Sequence, residues 1–274
     1  MTIPFYKMSG SGNDFIIIDN RNNIIPMDDL SVFAARVCRR KLSVGADGLI
    51  LIEPSRSADF KWNFFNSDGS VAEMCGNGAR CTARFALLND IAGKEMAFET
   101  IAGLIRAQVL NDRVKINMTD PHDLELGGRV QVDQAVHDYD RINTGVPHVV
   151  IEVADIEAVD VVGIGRQIRH HADFSPAGTN VNFIGQDGRQ WVVRTYERGV
   201  EDETLACGTG IVAAALVLAA RKSLPSPISL RSRSGSLLNV FFSQTENGFK
   251  EIFLEGDARI IYEGELSDDA WQYE

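Results

Sequence analysis

Apolar and β-branched residues fall in short runs along the chain: III at 16–18, LILI at 49–52, FKWNFF at 60–65, VVIEV at 149–153, VNFI at 181–184 and QWVVRTY at 190–196. Runs of that length, closed by NSDG, LNDR or QDGR, predict β-strands joined by tight turns. EMAFET, IRAQVL and RVKINM (95–118) add a further cluster of strands. Helical spacing is rarer. Leu30, Phe33, Ala34, Val37 and Cys38 follow the i, i+3, i+4, i+7, i+8 rule of a core-facing stripe. GIVAAALVLAA, 210–220, is apolar on every side and predicts a helix buried all round. It is shorter than the roughly 20 residues a bilayer span requires.

The pattern occurs twice. GSGNDFIII (10–18) resembles NTGVPHVVI (143–151), VGADGLILI (44–52) resembles AGTNVNFIG (177–185), and IAGLIRAQV (101–109) faces RSGSLLNVF (233–241), all at offsets of 132 or 133. Cys75 and Cys207 keep the offset of 132, each opening a Cys-Gly-x-Gly segment with an apolar run behind it. Matches at one offset near half the chain length indicate internal duplication. The expected fold class is α+β: two pseudo-symmetric domains, each mainly antiparallel β-sheet wrapped around a central helix, with the active site in the cleft between them. Asp, Pro and Gly concentrate in MTDPHDLELGG, 118–128, so the seam is expected there: residues 1–118 as one half and 119–262 as the other. ARIIYEGEL has no counterpart in the first half, and 263–274 are expected to complete the N-terminal domain.

A chain of 274 residues with 45% hydrophobic residues can bury a large core without disulfides. The net charge of -11 and the lack of a basic stripe argue against a nucleic-acid partner. Four scattered cysteines do not form a disulfide framework, and the opening MTIPFYKMSG has no apolar segment behind a basic start. A reduced, cytoplasmic protein with no membrane partner is expected.

Two of the cysteines carry chemistry. A helix N-terminus lowers a thiol's pKa through unpaired backbone N–H groups and the positive end of the helix dipole. Glycines on both sides of Asn77 and of Thr209 leave those groups open to an anion such as a carboxylate. Two such ends with a substrate between them would place one sulfur on each side of an α-carbon. That arrangement suits inversion of a stereocentre, a thiolate taking a proton from one face while a thiol returns one to the other. The carbanion that forms between the two events needs oriented N–H donors and exclusion of water. No lysine stands out for pyridoxal phosphate and no His, Asp or Glu cluster has metal-ligand spacing, so neither cofactor nor metal is expected. Cys38 and Cys81 read instead as core residues, Cys81 sharing a helix face with Phe85 and Leu88. Cys75 to Arg80 does not keep the spacing of a phosphatase loop.

SGSGNDFI, GADGLI, FFNSDGSVAEMCGNGAR, GTNVNFI and YERGVEDETLACGTG resemble the diaminopimelate epimerase family across nearly the whole chain. The resemblance implies a cofactor-independent two-thiol epimerase, a homodimer, that interconverts LL- and meso-diaminopimelate on the way to lysine and peptidoglycan. It implies Cys75 and Cys207 as the two bases and Gly76, Asn77, Gly208 and Thr209 as helix-end donors to the reacting carboxylate. Asn13, Asn66, Asn182, Glu197 and Arg198 are implied as substrate contacts. Arg198 precedes Cys207 by the same nine residues that separate Asn66 from Cys75, and an arginine there can clamp a distal carboxylate bidentately. His148 is placed to orient groups near one thiol, or else serves the core.

One position departs from the family. Where its members commonly have Gly-Asn-Pro-His, this chain has Gly145-Val146-Pro147-His148, and Val146 cannot make a side-chain hydrogen bond worth about 1 kcal/mol. Distal recognition is therefore expected to differ, whereas the thiol chemistry is untouched. Proline and hydroxyproline racemases share the cysteines but typically have histidine where this chain has Asn77. Phenazine-type isomerases share the duplicated fold without the cysteine pair. A non-catalytic thiol switch is the alternative of a different class.

Overall fold

The computed structural model describes residues 2–246 and 248–273. The chain divides into two compact units, 1–116 with 256–274, and 117–255.

In the first unit the order is β1 (Ile3–Gly10), β2 (Asn13–Asp19), α1 (Leu30–Val37), β3 (Gly48–Glu53), β4 (Phe60–Asn66), α2 (Gly76–Leu88), β5 (Glu95–Thr100), β6 (Gly103–Leu110) and β7 (Arg113–Asn117). The second contains β8 (His122–Val132), β9 (Ala135–Asn143), β10 (Pro147–Glu152), α3 (Val161–Arg169), β11 (Asn180–Asp187), β12 (Gln190–Glu197), β13 (Asp202–Thr204), α4 (Gly208–Lys222), β14 (Ile228–Arg231), β15 (Leu237–Thr245) and β16 (Gly248–Asp257). β17 (Arg259–Leu266) then pairs antiparallel with β1.

Pairing is mainly antiparallel, with parallel steps at equivalent places: β2 with β3 and β4 with β5 in one unit, β10 with β11 and β12 with β14 in the other. The parallel steps explain the unbroken apolar runs. β2 and β3 are buried on both faces. Ile16, Ile18, Leu49 and Leu51 pack with Phe33, Ala34 and Val37 of α1. On the opposite face, Phe15 and Ile50 lie against Gly78 of α2. The second unit repeats this with Val149, Ile151, Val181 and Phe183 beside Val161 and Ile168 of α3, and Asn182 and Thr195 beneath Gly210 of α4. Each unit is therefore an α+β layer with a short helix on one face and a long buried helix on the other. Residues 210–219 of α4 are all buried, as their apolar periphery predicts. Among the described residues no helix is long and apolar enough to cross a membrane.

The units divide at 116/117, beside the stretch expected as the seam, whose residues from 122 on open β8 with Gly127 at φ 84° among register shifts against β9. Two local expectations change. The return to the first unit begins at Gly256 rather than at 263, because the whole of β17 is paired with β1. Leu88 is 47% exposed although it shares a helical face with buried Cys81 and Phe85, since α2 ends there.

Candidate active site

Each unit has an outer helix that begins conventionally. Asp29 caps α1 by accepting from the N–H groups of Ser31 and Val32, and Asp160 caps α3 by accepting from Gly163. The inner helices differ. Cys75 and Cys207 occupy the N-cap positions of α2 and α4 in extended conformation, and neither makes a side-chain cap hydrogen bond. No acidic residue stands in either first turn. Helix geometry leaves the first N–H groups without intrahelical partners. These two ends therefore offer N–H donors and a dipole uncompensated by any first-turn carboxylate, the requirements of a carboxylate site. The four cysteines are all thiols, none in a disulfide.

Around α2 the β1–β2 hairpin turns through Ser11 and Gly12, both at positive φ, which brings Gly10 against the helix. A Cβ on Gly10 would stand 3.0 Å from the Asn77 carbonyl and 3.2 Å from Cys81 Sγ. Asn13 accepts from Asn77 Nδ2 (2.6 Å) and donates to Asp47 (3.1 Å), so the two asparagines are joined. Asp47 is in turn bound by Arg40 (3.0 Å). Asn66, exposed at the end of β4, donates to Ser70 Oγ (3.0 Å) and is held within its own turn.

Around α4 the equivalent β9–β10 turn anchors the helix end through the Thr144 hydroxyl, which donates to the Thr209 carbonyl (3.1 Å). Cys207 Sγ lies 3.5 Å from Thr209 Oγ1. Burial pushes the carboxyl of half-buried Glu197 up, and the nearby Cys207 thiol opposes the rise. Arg198 donates from its side chain to the Ala177 carbonyl (3.0 Å) and from its backbone to Asn180 Oδ1 (2.9 Å). His148 is buried. Burial, aided by nearby Arg198, drives its pKa down to about 3 and keeps the ring neutral.

Asn182, expected at the substrate, is fully buried with its amide occupied. It donates to His148 Nδ1 (3.1 Å) and the Val149 carbonyl (2.9 Å) and accepts from Thr195 (3.0 Å). In this arrangement it positions His148 and the floor of α4, with both amide N–H donors spent on the protein. Two residues escaped the sequence reading. Asn180 binds the Arg198 backbone and the Pro147 carbonyl (3.0 Å), and the repeat aligns it with Asp47, a signal that was available. Arg80, completely buried one turn beyond Cys75, donates to Asn77 Oδ1 and Ser11 Oγ, both at 2.8 Å. It had been considered only as a phosphate-loop arginine.

Comparison with known proteins agrees with this architecture. The sequence profile described as diaminopimelate epimerase matches residues 5–124 and again 141–261. A diaminopimelate epimerase of Aquifex aeolicus is 45% identical, covering 99% of this chain and 100% of its own length. One from Archaeoglobus fulgidus is 37% identical with full coverage of both. Among solved structures, a phenazine biosynthesis protein of the PhzF family from Bacillus anthracis superposes with TM-score 0.76 at 14% identity, covering 97% of this chain and 99% of the other. A hydroxyproline epimerase from Agrobacterium vitis superposes with TM-score 0.67 at 18% identity, covering 98% and 93%. At such identities these two share the fold alone. The duplicated layer, the paired Cys-Gly-x-Gly helix ends and the full-length identities lead to one assignment: this chain belongs to the diaminopimelate epimerase family.

Proposed function

We propose that the protein interconverts LL- and meso-diaminopimelate by two-thiol proton transfer at the α-carbon. The observation that carries the reading is the repeated, uncapped helix end with cysteine at the N-cap, one in each unit. The first unit supplies Cys75 with the N–H groups of Gly76 and Asn77; the second supplies Cys207 with those of Gly208 and Thr209. One sulfur removes the α-proton as thiolate. Donors at the helix ends stabilise the charge that develops on the α-carboxylate. The other sulfur, as thiol, delivers a proton to the opposite face, and the reverse reaction exchanges their roles.

Arg198 and Asn66 occupy equivalent ends of β12 and β4 and are assigned to the distal end of the substrate, with Asn13 and Glu197 beside the reacting groups. Val146 aligns with Asn13 in the repeat and contributes no side-chain hydrogen bond, so distal recognition rests more heavily on Arg198. The reaction is read as cofactor-free and cytoplasmic, within lysine and peptidoglycan precursor synthesis. A homodimer is read from the first unit: β17 shows no second strand partner among the described pairings, and Ile261, Tyr262 and nearby Leu42 are exposed, which favours a second copy there.

The test is proton exchange. Reduced protein in heavy water with LL-diaminopimelate should incorporate deuterium at the α-carbon and yield the meso form by NMR, while L-proline, L-glutamate and L-aspartate stay unlabelled. Exchange into proline alone would replace this reading with a proline racemase. Exchange into none of them would leave the thiol switch.

A further inference from the structure

The two helix ends differ most in what lies beneath them. In the repeat Arg80 aligns with Val212, so a charged residue and an apolar one occupy the same buried place one turn past each cysteine. Every hydrogen-bond acceptor of Arg80 is uncharged: the Ser11 hydroxyl and the Asn77 carboxamide at 2.8 Å, the Asp257 carbonyl at 3.2 Å and the Gly76 carbonyl at 3.4 Å. No ion pair of Arg80 occurs among the described residues. A guanidinium buried without a carboxylate partner is costly and favours an anion in its vicinity.

Asp257 is the carboxylate that acts on it, through the Ser11 hydroxyl rather than by a direct ion pair, and it is shared with a second arginine. Asp257, at the β16–β17 junction, bonds to the Ser11 hydroxyl (2.9 Å) and to Arg259 (3.2 Å). From α2 come Arg84 and Cys81, whose thiol burial pushes up to about 12, so it stays protonated; from β7 comes Arg113, a further cation. Asp47, behind Asn13, is bound to Arg40. At Cys207 the balance is opposite. Half-buried Glu197 stands beside Cys207, His148 is neutral, and Arg198 is turned to the Ala177 carbonyl. A carboxyl group beside a thiol disfavours its ionisation.

We propose that the buried Arg80 guanidinium is the fixed counter-charge of the α2 helix end, a positioning residue that makes Cys75 the resting thiolate while Cys207 beside Glu197 rests as the thiol. The catalytic roles rest on the two-thiol reading above; the ionisation itself does not. Thiol labelling requires no substrate, so failure of this inference and failure of the epimerase reading are seen in separate experiments.

The measurement is the pH dependence of iodoacetamide labelling at Cys75 and Cys207 in substrate-free protein, resolved by peptide mass spectrometry. Unequal burial alters the plateau rates, whereas the midpoints report ionisation. The Cys75 midpoint should lie below that of Cys207. Arg80→Gln should raise it, slowing Cys75 labelling near neutral pH roughly tenfold, and should leave the Cys207 profile in place. Arg80→Lys, which keeps the charge but loses the fork of hydrogen bonds, should recover most of the wild-type midpoint. An unmoved midpoint in Arg80→Gln, equal shifts in the Gln and Lys variants, or Cys207 ionising first in the wild type would each overturn the proposal. Should Arg80→Gln fail to fold, the wild-type order and Arg80→Lys still decide it.

Discussion

Set side by side, the two units keep the same backbone device and exchange almost every side chain around it. Both have a cysteine N-cap, glycine at the first and third helical positions, and a hairpin turn against the helix. Yet Asn13 stands opposite Val146, Asp47 opposite Asn180, Asn66 opposite Arg198, Asn77 opposite Thr209 and Arg80 opposite Val212. The first helix end rests on a buried cation and a chain of amides; the second has a neutral imidazole and a half-buried carboxyl beside it. Both helix ends keep open N–H groups behind a cysteine N-cap. On the two-thiol proposal the unequal side chains are what a proton relay requires, since one sulfur starts charged and the other protonated. The repeat thus keeps one backbone device in two chemically different settings.

The harshest way to break this pairing is to remove one sulfur. Cys75→Ala and Cys207→Ala should each lower epimerisation by about a thousandfold or more, with the circular dichroism spectrum unchanged, because either alone removes one of two required proton-transfer groups. Comparable activity in either variant would end the two-base mechanism.

Packing beneath the helices is the next difference to probe. A Cβ on Gly210 would stand 2.3 Å from Asn182 Oδ1, against a buried, hydrogen-bonded amide, whereas on Gly78 its tightest contact would be Ile50 Cδ1 at 3.2 Å, with Phe15 and Cys75 at 3.5 and 3.6 Å. Gly210→Ala should cost about 2–3 kcal/mol in urea unfolding. Gly78→Ala should fall within about 1 kcal/mol of wild type, since alanine's better helix propensity offsets the tighter contact.

Arg198→Ala should raise KM for diaminopimelate by roughly tenfold with a smaller change in kcat, the mark of lost binding rather than lost chemistry. Asn66→Ala, at the equivalent strand end, should do less, because an amide carries no charge. A KM unchanged in Arg198→Ala would remove the distal clamp from the second unit.

The mildest contrast is in pH. His148 protonates near its ordinary 6.5 when unfolded and at about 3 when folded. The unfolded chain therefore binds more protons in that window, and stability present above 6.5 is lost as pH falls toward 3. His148→Gln should flatten this acid limb in pH-dependent unfolding, and an unaltered slope would mean the ring is not held neutral.

Much of this was legible in the chain. The strands at 49–52 and 95–100, the stripe of α1 and the fully buried α4 follow from local apolar pattern, which depends only on spacing along one element. The placing of Cys75 and Cys207 at two equivalent helix N-caps was legible because the duplication repeats the Cys-Gly-x-Gly segment. Asn182 is different: an asparagine within an apolar run signals polarity, but only the neighbouring strands show that it is fully buried and bonded to His148, Val149 and Thr195. The burial of Arg80 is not legible, because one arginine in a helix is ordinarily solvated and nothing in its neighbours announces its enclosure. The Gly- and Pro-rich stretch at 118–128 reads as a linker in isolation and becomes a strand because β9 supplies its ladder.

The sequence by itself determined the repeat, the α+β class, the two thiols and the glycines that open their helix ends, since these depend on residue identity and short-range geometry. Only the tertiary structure decided which polar groups are spent inside each unit and which charge lies beneath each cysteine. Burial and hydrogen-bond satisfaction are set by residues far apart in the chain: Ser11 and Asp257 meet at Arg80, and Val149 and Thr195 close around Asn182. Desolvation then acts on the groups so enclosed, as it does on His148 and on the Cys81 thiol.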